Sequence, residues 1–206
     1  MLYIYFIISR FQYKLEFDDG ETTVLDKCFN FNGGNSGLTE DFSYNNQPST
    51  EDEKIPILSS ATSKLNEMGY ISKNAKPKNK KLKIFNKECV LIARNGYAGT
   101  MTYLNNYEFT INDHAYVLTP KKEWKNKINL RWFVYQYQEL FYNMVTSKSD
   151  NATFNKTYAE KQKIILPDKE FQDGIVEKLF KIDCLIEELD KANKQIEKLL
   201  FCEIIS

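Results

Sequence analysis

A heptad repeat near one end of the chain constrains its fold more than any other feature. Residues 168–200 contain no proline, and no glycine after Gly174. Apolar residues and one asparagine recur there at spacings of four and three: Ile175, Leu179, Ile182, Ile186, Leu189, Asn193, Ile196 and Leu200. The pattern predicts a helix about 50 Å long, with a seam that requires a partner helix and with Asn193 fixing the register. The alternative is a helix that folds back on its own domain.

The composition indicates a globular protein without a global positive field. Of the 206 residues, 42% are hydrophobic and 14% aromatic, which suits one domain with an appendage. Lysine plus arginine and aspartate plus glutamate both number 28, so the net charge is zero. Indiscriminate binding to nucleic acid is therefore disfavoured, whereas a local basic face stays possible.

The spacing of the cysteines, the single histidine and the first residues of the chain argue against several classes of protein. The four cysteines (Cys28, Cys89, Cys184 and Cys202) form no CxxC pair, so reduced thiols are expected. His114 is the only histidine, which disfavours a zinc site. The apolar start is about ten residues long, half of what a membrane span needs, and lacks a basic signal-peptide region. We expect a buried strand there, no membrane association and a cytoplasmic protein.

The rest of the pattern predicts an α+β fold. Residues 1–53 look irregular, and residues 32–53, rich in Gly, Asn and Ser, predict a long loop. Short β-branched or aromatic runs predict five strands, at residues 54–58, 88–94, 100–104, 114–119 and 161–167. Apolar residues on one helical face predict a helix at 129–144. We therefore expect a twisted mixed β-sheet domain over residues 1–167, followed by a coiled-coil helix over 168–206.

The segment RNGYAG, residues 94–99, is a candidate phosphate-binding loop. A Walker loop ends in GKS or GKT, and a dinucleotide-binding turn leads into a helix, but this segment lies between two predicted strands. Gly96 and Gly99 are therefore expected to supply positive φ to a strand–strand turn.

Two catalytic classes can be weighed from motifs. Asp113, Glu123 and Lys125 imitate the Asp…Glu-x-Lys set of Mg²⁺-dependent nucleases, in which the carboxylates hold the metal. That chemistry requires the Glu-x-Lys on a rigid strand, and here it follows a proline among solvated charges, so a surface turn is favoured. The Asn/Asp-Pro-Pro-Tyr/Phe motif of base-amine methyltransferases is absent from the sequence.

A lysine-rich segment provides the local basic face. Residues 72–87 contain no acidic residue and carry Lys73, Lys76, Lys78, Lys80, Lys81, Lys83 and Lys87. Such a run is often only a solvated loop, but on a neutral chain it also suits contact with a polyanion. The preceding SSATS, residues 59–63, adds hydroxyls suited to groove or phosphate contacts.

An ordered set of short motifs resembles a known family. FNGGNSGLTEDF, IPILSSAT, VLIARNGYAGTMTYL, INDHAYVLTP, NATFNKTYAEKQKIILP and EFQDGIVEKLFKID follow one another along the chain. The set resembles a half-length specificity (S) subunit of type I restriction–modification systems, with one target recognition domain and one conserved helix. The resemblance spans roughly residues 22–200, and its closing element is the most telling part: Ile165, Leu166, Pro167, Phe171, Gln172, Ile175, Leu179, Ile182 and Asp183.

The resemblance implies a non-catalytic protein that recognises double-stranded DNA and docks methyltransferase and restriction (translocase/nuclease) subunits. No cofactor is expected on this chain, because the methyl donor and ATP belong to those partners. Complete S subunits carry two recognition domains, so one domain implies either a half-subunit or a truncated gene product. A half-subunit would form a homodimer or pair with a second half-subunit through the helix, and a twofold dimer would recognise a palindromic split site.

Residues for DNA contact and for pairing follow from these expectations. Phosphate contacts are expected from Lys73, Lys76, Lys78, Lys80, Lys81, Lys83 and Arg94. Base-edge contacts are expected from Ser59, Ser60, Thr62, Asn95, Tyr97 and Asn112. The heptad residues, from Ile175 to Leu200, are expected to form the pairing interface. A nuclease and a coiled-coil interaction module without a DNA role are the rival functions.

Overall fold

A computed structural model describes residues 19–59, 66–106, 108–146 and 152–205 of the chain. The described strands are β1 Glu21–Val24, β2 Phe29–Gly33, β3 Lys54–Ser59, β4 Asn66–Ser72, β5 Cys89–Ala93, β6 Met101–Leu104, β7 Thr110–Ile111, β8 Ala115–Pro120 and β9 Lys163–Leu166. The described α-helices are α1 Leu25–Cys28, α2 Glu40–Asn45, α3 Leu130–Tyr142, α4 Lys156–Glu160 and α5 Lys169–Ile205. The expected α+β class, with mixed sheets and a long C-terminal helix, is confirmed.

The central sheet is antiparallel and has the strand order β2-β8-β5-β6. All five residues of β5 are buried, which explains its uninterrupted apolar sequence CVLIA. Val90 and Ile92 belong to a core cluster shared with α3, whereas Cys89 and Leu91 belong to a cluster shared with β7. Because side chains alternate along a strand, β5 supplies one core on each face of the sheet.

Helix α3 covers one face of the central sheet with a row of aromatic rings. Phe133, Tyr137 and Phe141 recur every four residues and therefore stack along one side of the helix. The ring centroid of Phe133 lies 5.1 Å from that of Tyr137 and 5.8 Å from that of Phe141. The Asn129 side chain caps the helix by accepting from the backbone N–H groups of Arg131 and Trp132.

A second, mixed sheet of order β4-β3-β7 lies against the other face. In it β3 pairs antiparallel with β4 and parallel with β7. A two-stranded sheet pairs β1 with β9, which brings the first described strand next to the segment that leads into α5.

The structure differs from expectation in the first third of the chain. The long loop predicted for residues 32–53 is wrong in two places, since it contains α2 and a 3-10 turn at Glu51–Glu53. Helix α2 begins where the Thr39 hydroxyl accepts a hydrogen bond from the N–H of Phe42. Strands β1, β2 and β4 were also not predicted. The strand expected in the first ten residues lies outside the described residues.

The joint between the domain and α5 is built around one buried amide. The Gln172 side chain is 0% exposed; it accepts from Asn129 N at 2.8 Å and donates to Lys127 O at 2.9 Å and Pro167 O at 2.8 Å. Beside it, the Asn129 amide donates to Asp173 Oδ1 at 2.6 Å. The first turns of α5 are therefore fixed to the start of α3.

Two further contacts complete the joint. Ile175 and Val176 are partly buried against the main core. The Tyr137 hydroxyl donates to Ile165 O at 2.5 Å and accepts from Ile165 N at 2.9 Å, which ties α3 to β9 just before α5 begins. Burial raises the pKa of Tyr137 to about 12, so this hydroxyl stays protonated.

We expect Gln172→Leu to destabilise the protein by about 2–4 kcal/mol, because one N–H and two carbonyls would lose their buried partner. The free energy of urea unfolding measures this change. The matched control is Gln195→Leu on the exposed part of α5, which should change stability by less than about 0.5 kcal/mol. Equal losses in the two variants would show that the joint does not depend on the amide.

The turn between β5 and β6 contains two glycines, and each is required for a different reason. Gly96 has φ +67° and Gly99 has φ +84°, in the left-handed region, as the sequence predicted for this turn. A Cβ at Gly96 would meet nothing within 4 Å, whereas one at Gly99 would lie 2.4 Å from Phe141 O. Gly99 thus lets the turn pack directly on the backbone of α3.

We therefore expect Gly96→Ala and Gly99→Ala to differ in the free energy of unfolding. Gly96→Ala should cost about 1–2 kcal/mol, the strain of a left-handed alanine. Gly99→Ala should cost about 1–3 kcal/mol more, since the turn or α3 must move. Thermal melts of the two variants provide the comparison, and equal destabilisation would contradict the packing role of Gly99.

Candidate nucleic-acid interface

Three loops meet where the two larger sheets end on the same side. In the central sheet, Ala93 pairs with Ala115 and Gly33 with Tyr116, so the loops 33–36, 94–99 and 112–114 adjoin. The Arg94 N–H donates to His114 O at 2.9 Å, and Asn35 forms a parallel bridge with Asn112. We call the surface formed by these loops and by residues 78–83 the tip.

A buried asparagine attaches the lysine segment to the tip. Asn35 is 5% exposed; its Oδ1 accepts from Lys83 N at 2.9 Å, and its Nδ2 donates to Thr110 Oγ1 and Ile111 O, both at 2.9 Å. This one side chain therefore connects the loop after β2, the lysine segment and β7. The lysine segment has a fixed position and is not a free solvated loop.

The lysines of this segment form the margin of the tip. Lys78 Nζ donates to Ser36 Oγ at 2.8 Å, and Lys83 Nζ donates to Gly33 O at 2.8 Å. Lys78 and Asn79 have φ values of 49° and 61°, a strained turn that aims the segment over the loop after β2. The exposed lysines here are Lys76, Lys78, Lys80, Lys81 and Lys83. Within the described part of the chain, none of them has a carboxylate within 4.0 Å.

Lys73 does not belong to this margin. It follows β4 at the opposite end of the three-stranded sheet, where its Nζ lies 2.5 Å from Glu108 Oε2. Its charge is paired there, and the expected phosphate contact by Lys73 stays a prediction.

Asn112 has a structural position as well. Its side chain is 2% exposed, accepts from His114 N at 3.0 Å and donates to Met68 Sδ at 3.1 Å. The side chain thus holds the 112–114 turn from inside, and the expected base-edge contact by Asn112 stays a prediction.

The centre of the tip carries polar groups with fixed orientations. Arg94 Nη1 donates to Asp113 O at 3.1 Å, and Asn95 Nδ2 lies 2.6 Å from His114 Nδ1. Tyr97, at 62% exposure, stands beside them on the 94–99 turn. His114 was not among the predicted contact residues, although its place in the short INDHAY connection between two strands could have indicated it.

The hydroxyl segment after β3 begins beside the tip. Leu58 pairs with Ile111, so Ser59 ends its strand next to the 112–114 turn. Ser60 and Thr62 lie outside the described residues, and their predicted contacts stay predictions.

The candidate nuclease residues do not converge. Asp113 precedes β8 and Glu123 follows it, on a 3-10 turn at Lys122–Trp124. The six residues of β8 separate them by about 20 Å. Two carboxylates at opposite ends of a strand cannot hold one metal ion, so the nuclease interpretation is wrong.

Other chemistry is limited within the described residues. Cys28, Cys89 and Cys184 are free, and burial raises the pKa of Cys28 to about 11 and that of Cys89 to about 12, so neither is a thiolate at neutral pH. In the same ranges, no cluster of three His, Cys, Asp or Glu side chains is suited to a metal ion. None of the helices seen there is long and apolar enough to cross a membrane.

The second candidate surface is the apolar side of α5. Beyond the joint, Ile182, Leu189 and Ile196 of the heptad seam are exposed, Leu189 to 63%. Leu179 and Ile186 are half-buried, and Asn193 is exposed on the same seam. Ile175 packs on the domain, so it belongs to the joint and not to the free seam. Leu200 lies on the helix backbone, and its side chain is outside the described part.

Comparison with known proteins gives a family and a fold. The family model described as Type I restriction modification DNA specificity domain matches residues 21–198. No curated protein matches the chain in sequence.

Three solved structures are similar to the chain. The S subunit of a type I restriction–modification system from M. genitalium has a TM-score of 0.58 at 14% identity, over 86% of this chain and 43% of that one. A structure concerned with complex assembly and conformational transition of the type I R-M system has a TM-score of 0.60 at 15% identity, over 94% of this chain and 47% of that one. The HsdS subunit from Thermoanaerobacter tengcongensis has a TM-score of 0.56 at 16% identity, over 93% of this chain and 44% of that one. The chain thus shares their fold and spans less than half the length of each.

Proposed function

Because the chain belongs to the family of type I restriction–modification DNA specificity domains, we propose that it recognises one part of a split DNA target for a restriction–modification complex. The tip is the proposed DNA-binding surface. One observation carries this proposal: lysines without a carboxylate partner among the described residues lie beside polar groups of fixed orientation at one end of two sheets. Phosphate contacts set the position of a protein on DNA, while contacts to base edges specify sequence.

The net charge of zero supports specific over general binding. With 28 basic and 28 acidic residues, the chain has no net positive charge that would attract DNA to its whole surface, so attraction depends on local clusters such as the lysines of the tip. Nonspecific binding depends almost entirely on counterion release by basic residues. A protein with so few of them in one place gains most from correct base contacts.

Catalysis is proposed to belong to partner subunits. Similarity to an S subunit and to a type I R-M assembly supports docking to methyltransferase and restriction subunits. The methyl donor and ATP would bind to those subunits. The separation of Asp113 from Glu123 by β8 supports a non-catalytic role for this chain.

We expect the double variant Lys80→Gln/Lys81→Gln to bind duplex DNA more weakly, with a slope of log K against log salt reduced by up to about 2. The matched control is Lys122→Gln/Lys125→Gln, which removes the same charge at the opposite end of β8. Fluorescence anisotropy of a labelled random-sequence duplex across a salt series measures both slopes. Identical changes in the two variants would place DNA elsewhere on the protein.

The exposed seam of α5 is proposed to pair with a second helix, from another copy of this chain or from a second half-subunit. The helix has 37 residues, about 55 Å, and its first turns pack on the domain through Ile175, Val176 and Gln172. The spacing of Ile182, Leu189 and Ile196 suits a coiled-coil seam, and Asn193 within it would select register.

For self-pairing, we expect Leu189→Lys to convert a dimer into a folded monomer, since a lysine in the seam would be buried against its partner. Gln195→Lys, which adds the same charge outside the seam, should remain dimeric. Light scattering gives the mass, and circular dichroism checks the fold. A wild-type monomer at all concentrations would contradict self-pairing.

A further inference from the structure

We propose that Arg94 recognises a guanine base in the DNA target, with His114 as a neighbouring donor, rather than contacting a phosphate as the sequence suggested. This inference rests on the proposed function and names a specificity-determining residue within it. Arg94 lies at the centre of the tip, not at the lysine margin.

The backbone of Arg94 is fixed on both sides. Its N–H donates to His114 O at 2.9 Å, and its carbonyl accepts from Phe154 N at 2.7 Å. The side chain therefore starts from a defined point at the end of β5. A lysine ammonium is a compact point charge on a flexible stem, so lysines on the margin such as Lys80 and Lys81 deliver charge but little direction.

The guanidinium is oriented as well. Arg94 Nη1 donates to Asp113 O at 3.1 Å, and Arg94 Cζ lies 5.9 Å from the centre of the Tyr116 ring. In the described part of the chain no carboxylate lies within 4.0 Å of this arginine. Arg94 is partly exposed, and one of its five guanidinium N–H groups is used in this bond, which leaves donors for a ligand.

The neighbouring polar pair also presents a donor. Asn95 Nδ2 lies 2.6 Å from His114 Nδ1. With the amide nitrogen donating, Nδ1 is the acceptor, so Nε2 carries the proton. Nε2 lies 3.8 Å from Asp113 Oδ1, beyond hydrogen-bond distance, and both side chains are about half exposed, so the Nε2 proton can donate to a ligand. Asn95 is thereby occupied by the histidine, and His114 is held in one orientation.

A surface that offers donors selects the base edge richest in acceptors. In the major groove, guanine presents N7 and O6 side by side, whereas adenine pairs one acceptor with one donor. Arginine bound to guanine N7 and O6 is the commonest specific contact between protein and DNA. The arrangement at the centre of the tip therefore favours guanine.

The test is selection from a randomised duplex library by the full-length wild-type chain, by Arg94→Lys and by Lys81→Gln. We expect the wild type to enrich a motif with a strong guanine. Arg94→Lys keeps the charge but loses the fork, so discrimination at that one position should fall by about 5- to 100-fold. Lys81→Gln should weaken binding to all duplexes and leave the base preferences unchanged.

A second measurement needs no change in Arg94. In the selected duplex, 7-deazaguanine at that position removes N7 and should weaken wild-type binding at least 5-fold, but should hardly affect Arg94→Lys. If Arg94→Lys enriches the same motif and only binds more weakly, Arg94 contacts a phosphate and the inference fails alone. If the wild type enriches no motif, the proposed recognition function fails together with it.

Discussion

The contact of Gln172 with three backbone groups is the interaction on which the rest of the structure depends. This buried amide joins the start of α3, the end of β9 and the first turn of α5. Apolar packing alone, from Ile175 and Val176, would hold the helix near the domain but would allow it to rotate or slide. Hydrogen bonds are directional, so the amide fixes the angle at which a helix of 37 residues leaves the domain.

A second buried amide performs the same task at the other end of the molecule. Asn35 connects the loop after β2 to Lys83 and to β7, and so holds the basic segment against two sheets. Buried polar groups stabilise a fold only when their partners are present. Both amides are fully used, and each links segments more than forty residues apart in sequence. Polar contacts therefore specify position in addition to contributing to stability, while the aromatic and aliphatic core provides most of the apolar burial.

The sequence predicted those features that have a regular period. Local apolar patterns predict strands β3, β5, β6, β8 and β9, helix α3 and the seam of α5. Helix α2 was missed because six residues form less than two turns, too short for a period to show. The burial of Asn112 and the ion pair of Lys73 could not be predicted, because they arise from tertiary contacts with Met68 and Glu108 that no local pattern contains. The tip itself depends on strand register, which composition does not reveal.

The distance between the joint and the far end of α5 explains why a rigid joint matters for the proposed function. Along a helix of about 55 Å, a tilt of only 10° moves the far end by about 10 Å, which is about three base pairs of DNA. A second recognition domain carried there would then meet the wrong bases. In the proposed function, the hydrogen bonds of Gln172, Asn129 and Asp173 would therefore act on specificity together with the tip. Arg94 and its neighbours would select bases, and the joint would determine at what separation two such selections are combined.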